Sequence, residues 1–207
     1  LGEVAGARLF EELNKDLALK TPLVFEAYQK YGVLKYILGK AGGAYDKDPD
    51  LFARLKTLLE IRDAAESGGY QFSREELFAL VSWPWVESLL SEKKEDANQN
   101  LHETVTQAMA GSWLTKGLRA ESIQILILNH YLMQALRTGR MRWAWQRRSH
   151  YEQASRLCFL IEKGRPPQGK DPFTGLFHGM YPPSGTKRRR RRRRKPRTRS
   201  QASPDTR

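Results

Sequence analysis

Seven arginines stand in an unbroken row, Arg188, Arg189, Arg190, Arg191, Arg192, Arg193 and Arg194, flanked by Lys187, Lys195, Arg197 and Arg199. No fold can bury such a run, because each guanidinium would lose its hydration while repelling its neighbours. Residues 187–207 are therefore expected to form an extended, solvated, disordered arm, and whatever folds must come from the chain before them. The charge count points the same way. Of 36 basic and 23 acidic residues, 12 basic and one acidic lie in 187–207, leaving 24 and 22 in 1–186. The arm thus carries +11 of the total +13 and the body only +2. A hydrophobic fraction of 40% is enough for a core.

Guanidinium groups pair with phosphate oxygens two N–H donors at a time, so the eleven cations from Lys187 to Arg199 suit nucleic acid, RNA or DNA, without reading its sequence. If about ten phosphates are neutralised, log affinity for a single strand should fall with log salt at a slope near −7. The arm holds no aromatic residue for base stacking. A run this dense also serves as a nuclear-import signal, so import receptors are a second class of partner. Thr198, Ser200 and Ser203 sit within or beside the arm. Phosphate on any of them would remove about 1.5–2 charges and weaken RNA binding.

The body reads as all-α. Val4, Leu9, Phe10, Leu13 and Leu17 recur at near-helical spacing. Thr21-Pro22 supplies a helix start for a second stripe through Leu23, Ala27, Tyr28, Tyr31, Leu34 and Leu38, ended by Gly39. A glycine-rich loop is expected over 39–48. Asp48-Pro49 opens a third helix along Leu51, Phe52, Leu55, Leu58, Leu59 and Arg62, stopped at Gly68-Gly69. Ser73 to Glu76 is a capping box for a fourth helix, which Pro84 should bend or break. Residues 91–100 read as loop and 101–110 as a fifth helix. The helix 121–138 is apolar on most sides and must be buried, and its length makes it a candidate for packing on a second copy of the chain. A last helix is expected over 142–163, followed by a Pro-rich segment, 165–186. Sustained period-2 alternation is absent, so strands are not expected.

Catalytic and metal chemistry find little footing. His102, His130, His150 and His178 form no HExxH pair, and Cys158, the single cysteine, has no CxxC partner and allows no internal disulfide. Cys158 and His130 lie on apolar helical faces and read as core. Gly39-Lys40-Ala41-Gly42-Gly43 lacks the P-loop spacing and follows a helix, so it reads as loop. Trp143 and Trp145 beside Arg142, Arg147 and Arg148 offer two readings: base stacking, or packing between helices or at a subunit contact. Neither a catalytic residue nor a cofactor is expected. The longest apolar stretch, Ile123 to Leu136, is broken by Gln124, Asn129, His130 and Gln134, so no membrane insertion is expected. Leu1 is not an initiator Met and no signal-peptide pattern follows it, so the numbering is expected to begin inside a longer reading frame or after processing.

The order of these parts, a helical body, a Pro-rich exit and a terminal Arg block, resembles the core (capsid) proteins of hepadnaviruses and nackednaviruses, in pattern the avian-type cores. The segment from Ile123 to Gly139, with its His130-Tyr131 pair, resembles the long spike helix of that family. Gly169-Lys170-Asp171-Pro172-Phe173-Thr174 resembles the turn after the last helix of the avian members. The arm departs from the family in being one homogeneous Arg block without Ser-Pro-Arg repeats.

The resemblance implies a helical assembly domain over 1–164, with 68–120 as a spike-tip insertion or separate subdomain. It also implies a strap over 165–186 and the arm over 187–207. Helices 48–66 and 121–138 would form a hairpin, two of which pair as a four-helix bundle with Ile123, Leu126, Ile127 and Tyr131 at the dimer interface. Arg165, Pro166, Pro167, Phe173, Phe177 and Tyr181 would make contacts between dimers in an icosahedral shell. The arm would hold RNA of the pregenomic type inside, and the protein would occupy the virion and the host cytoplasm and nucleus. The competing class is an Arg-rich regulatory RNA-binding or export adaptor, or a nuclear RNA-binding protein. Such an adaptor needs an accessible Leu-rich peptide, and the leucines of 114–128 read instead as helix core.

Overall fold

The computed structural model describes residues 11–13, 15–16, 21–92, 100–112 and 114–164, with Trp143 as backbone alone. The expected inter-dimer residues Arg165, Pro166, Pro167, Phe173, Phe177 and Tyr181 lie outside them. So do the expected phosphate-binding residues of the arm, Lys187, Arg188, Arg189, Arg190, Arg191, Arg192, Arg193, Arg194, Lys195, Arg197 and Arg199, and the modification candidates Thr198, Ser200 and Ser203. The described part is all-α: α1 (Thr21–Lys30), α2 (Leu34–Ile37), α3 (Lys40–Tyr45), α4 (Pro49–Ser67), α5 (Arg74–Glu92), α6 (Leu101–Ala108), α7 (Lys116–Thr138), a 3-10 turn (Trp143–Arg147) and α8 (Tyr151–Lys163). Residues 11–13 and 15–16 are also helical, with Leu13 buried.

Local signals set several boundaries. The Asp48 carboxylate accepts from the amides of Asp50 and Leu51, both at 3.0 Å, and starts α4. The Ser73 amide donates to Glu76 at 2.8 Å, and the Glu76 amide donates back to the Ser73 hydroxyl at 3.3 Å. That reciprocal pair starts α5 as the capping box requires. Thr115 accepts from the Leu118 amide and starts α7 a turn earlier than the apolar stripe indicates; Gly139, at φ +67°, ends it.

Elsewhere tertiary packing overrides the pattern. The second stripe is broken by Gly32 at φ +64°, and its members Leu23 and Tyr31 are 62% and 74% exposed. The buried face of α1 is Thr21 and Phe25. The expected glycine loop is the helix α3, and two of its glycines, Gly39 at its start and Gly42 within it, serve close packing. A methyl group on Gly42 would overlap the backbone of Leu34, and one on Gly39 the backbone of Ala110 and Ser112. The Lys40 amide donates to the Ala110 carbonyl at 3.3 Å. The last expected helix is two elements, the 3-10 turn and α8, separated by Arg148, Ser149 and His150.

α5 is the axis of the body. Phe78, Ala79, Leu80 and Val86 are fully buried, and the helix packs against α3, α4, α6, α7 and α8. It runs unbroken through Pro84, which cannot donate to the Leu80 carbonyl. One residue further along, the buried Tyr45 hydroxyl donates to the Val81 carbonyl at 2.7 Å and meets the Trp85 amide. A phenol inserted in the helix ladder accommodates the proline without ending the helix. This arrangement corrects the expected hairpin. α4 packs chiefly on α1 and α5, whereas α7 packs chiefly on α8 and α5. Within 68–120, α5 stands at the centre of the core rather than at a tip, because its apolar surface faces neighbours on every side.

Candidate nucleic-acid interface

The cations expected to bind phosphate, the unbroken row Arg188, Arg189, Arg190, Arg191, Arg192, Arg193 and Arg194 with its flanking Lys187, Lys195, Arg197 and Arg199, are outside the described residues. The folded body carries a second set. α7 and α8 run side by side in the same direction. At their starts both touch the start of α5: the Ser122 hydroxyl donates to the Glu75 carbonyl at 3.2 Å, and Arg156 pairs with Glu76 at 2.9 Å. At their ends Arg137 lies 3.8 Å from Glu162. Residues 139–150 must therefore return along α7 from the level of Arg137 to about that of Ser122, a span of roughly 22 Å at 1.5 Å per helical residue.

This strap is pinned from within. Met141 is buried, and Trp145 stacks on Tyr131, ring centroids 5.3 Å apart and 16° from parallel. The amides of Trp145, Arg148 and Tyr151 donate to the carbonyls of Arg142, Trp145 and Arg148 at 3.0, 3.0 and 3.1 Å. Arg140, Arg142, Arg147 and Arg148 are exposed, and among the described residues no carboxylate lies within ion-pair distance of them. Between Glu121 and Glu152 the chain has no acidic residue at all. Arg142, Arg147 and Arg148 stand out in the sequence as cations beside tryptophan. Arg137 and Arg140 do not, and the acid-free interval is the signal that marks them. For Trp145 the packing reading holds, since its ring covers Tyr131.

Ile123, Leu126 and Ile127 are buried at 7%, 0% and 5% exposure, and Tyr131 is half-buried under Trp145. In one copy of the chain the three aliphatic residues are core. The exposed large apolar side chains of the described region are Leu23, Tyr31 and Tyr36, all on the α1–α2 edge. His130 faces Gln134 at 2.9 Å, and burial, with Arg137 nearby, pushes its pKa down. Cys158 is fully buried, and burial pushes its thiol well above the usual range, as suits a core residue and not a nucleophile. Leu114, Leu118, Leu126 and Leu128 are all buried.

Two ion clusters brace the interior. Arg62, 2% exposed, donates to Asp63 at 2.8 Å, to Glu66 at 2.5 Å and to the Thr21 hydroxyl. Thr21 in turn donates through its amide and hydroxyl to Asp63 at 3.0 and 2.5 Å, which ties α1 to α4. Glu76, 1% exposed, accepts from Arg156 and from the Ser73 amide and joins α5 to α8. Burial pushes the Glu76 carboxyl up, against the opposing pull of Ser73 and Arg156. Among the described residues no three His, Cys, Asp or Glu side chains converge for a metal, and no helix is long and apolar enough to cross a membrane. No protein-family description, curated protein or solved structure matches the chain.

Proposed function

We propose that this chain is a viral-type core (capsid) protein whose helical body self-assembles through dimers into a closed shell and whose C-terminal arm packages RNA. The observation that carries the reading is the division of charge, +11 in 187–207 against +2 in 1–186. A near-neutral body is free to approach copies of itself, whereas a body sharing the arm's charge would repel them. The all-α body, with its core organised around α5, supplies a rigid unit of the kind a symmetric shell repeats. The burial of Leu114, Leu118, Leu126 and Leu128 argues against the adaptor reading, which needs accessible leucines. In a shell the arm would hang inward on polyphosphate, and import receptors would meet it before assembly.

The test is electron microscopy of the purified full chain, alongside a version lacking 187–207. Uniform closed particles from both, with far more RNA in those of the full chain, are expected. A full chain that stays monomeric at high concentration, or that ignores RNA in dilute buffer, overturns the proposal. Soluble dimers that bind RNA yet never close into particles place the chain in the adaptor class instead.

A further inference from the structure

We propose that the strap 139–150 is a second, folded phosphate-binding stripe, which takes the backbone of single-stranded nucleic acid through Arg140, Arg142, Arg147 and Arg148. The proposal rests on the nucleic-acid reading above, though not on the closure of a shell.

Three observations support it. The first is the state of the four guanidiniums. The other arginines of α7 and α8 have acceptors: Arg156 has Glu76 and Glu152, Arg137 has Glu162, and Arg119 has the Ser112 and Leu114 carbonyls. The four on the strap have none among the described residues, although they follow one another within nine positions. Crowded, uncompensated like charge raises the potential along the strap and favours an external anion. The second is rigidity. Met141 and Trp145 anchor the strap to the body and three backbone hydrogen bonds set its turns. The cations are therefore carried by an anchored segment that follows α7 from the level of Arg137 to about that of Ser122, roughly 22 Å. A line of forks suits successive phosphates better than a single small anion. The third is position. Arg137, where the strap leaves α7, lies against Glu162, two residues before Gly164, the last described residue. The chain that leads to the arm thus departs beside one end of the stripe, so a strand held by the arm can continue onto the body.

The contact is to phosphate and not to bases. Trp145, the strap's described aromatic, gives one face to Tyr131, and its packing role anchors the strap. Binding should therefore be indifferent to sequence and steep in salt.

The experiment measures fluorescence anisotropy of a short poly-uridine RNA against the full chain, titrated at several salt concentrations. Arg140→Gln, Arg142→Gln, Arg147→Gln and Arg148→Gln together should reduce the magnitude of the log–log salt slope by about 3, at ~0.7 per phosphate lost. The corresponding Arg→Lys set should keep the slope. A second chain has the eleven cations from Lys187 to Arg199 replaced by Ser and the strap intact. It should retain weak, salt-sensitive binding that the four Gln substitutions abolish. An unchanged thermal midpoint shows that the Gln set leaves the fold intact.

If the full chain binds RNA but the Gln set leaves its slope untouched, the stripe is refuted while the arm's role stands. If the arm-neutralised chain ignores RNA, the stripe is likewise refuted. Should the strap substitutions act only on binding to phosphatidylserine vesicles, the partner is a membrane surface and the proposal fails. A full chain that ignores RNA removes the parent reading instead.

Discussion

Arg62 and Arg156 point into the helical body, and each finds carboxylates there: Asp63 and Glu66 for one, Glu76 and Glu152 for the other. Arg140, Arg142, Arg147 and Arg148 lie along the strap with no such partner among the described residues. The same side chain thus serves two ends in one small body. Inside, desolvation makes an unpaired guanidinium costly, so Arg62 and Arg156 are matched by acids, and the part-buried Arg119 by the carbonyls of Ser112 and Leu114. Outside, water carries the solvation, and the absence of acids leaves a field that acts on other molecules. Changes to the interior should therefore appear as stability, and changes to the strap as salt-dependent binding.

The steepest way to probe the interior is through its glycines. Gly42→Ala sets a methyl against the Leu34 backbone and should cost about 4 kcal/mol or more in urea unfolding. Gly43→Ala, next to it in the same helix and open to space, should instead stabilise by up to about 1 kcal/mol. Equal effects at the two sites would dissolve the claim that α3 is packed backbone to backbone. Glu76→Ala comes next. It strips the capping box and strands Arg156, and should lower stability by about 3 kcal/mol. Glu76→Gln should recover part of that loss, since it keeps an acceptor for the Ser73 amide.

The smallest expected effect concerns His130. Burial first, and Arg137 second, hold its pKa below the ordinary imidazole value. The unfolded chain then takes up a proton at higher pH than the folded one, so stability is full above about pH 6.5 and falls as pH drops below it. Denaturant midpoints on either side of that pH should diverge less in His130→Gln than in the parent. A parent that is flat across the window would remove the imidazole from the account. The strap offers the opposite control, because its four Gln substitutions should leave all these stability measurements in place while shifting the salt slope.

Where short-range chemistry sets an element, the chain alone is readable. Asp48-Pro49 and the Ser73–Glu76 box start helices by hydrogen bonds within three residues, and Gly139 ends one through its backbone freedom. The stripe of α4 even includes Arg62, whose acidic partners Asp63 and Glu66 are local, though its contact to Thr21 is not. The misjudged elements all depend on distant groups. The glycines of 39–43 read as a loop until Leu34 is seen pressing on Gly42, and Ala110 and Ser112 on Gly39. Pro84 reads as a break until Tyr45 enters the ladder beside it. The hairpin of 48–66 with 121–138 fails because both helices bury their apolar faces on α5.

Of the candidate interface, the charge of the arm is fully legible, since seven adjacent arginines, Arg188 to Arg194, constrain the chain through repulsion alone, whatever surrounds them. The strap is only half so. That its arginines lie in an interval free of acids is written in the order of residues. That they form a line depends on α8 running alongside α7, which requires the chain between them to double back. Composition and spacing decide what a segment cannot bury; only the packing of one helix on another decides which exposed charges become neighbours, because that depends on distances between residues far apart in the chain.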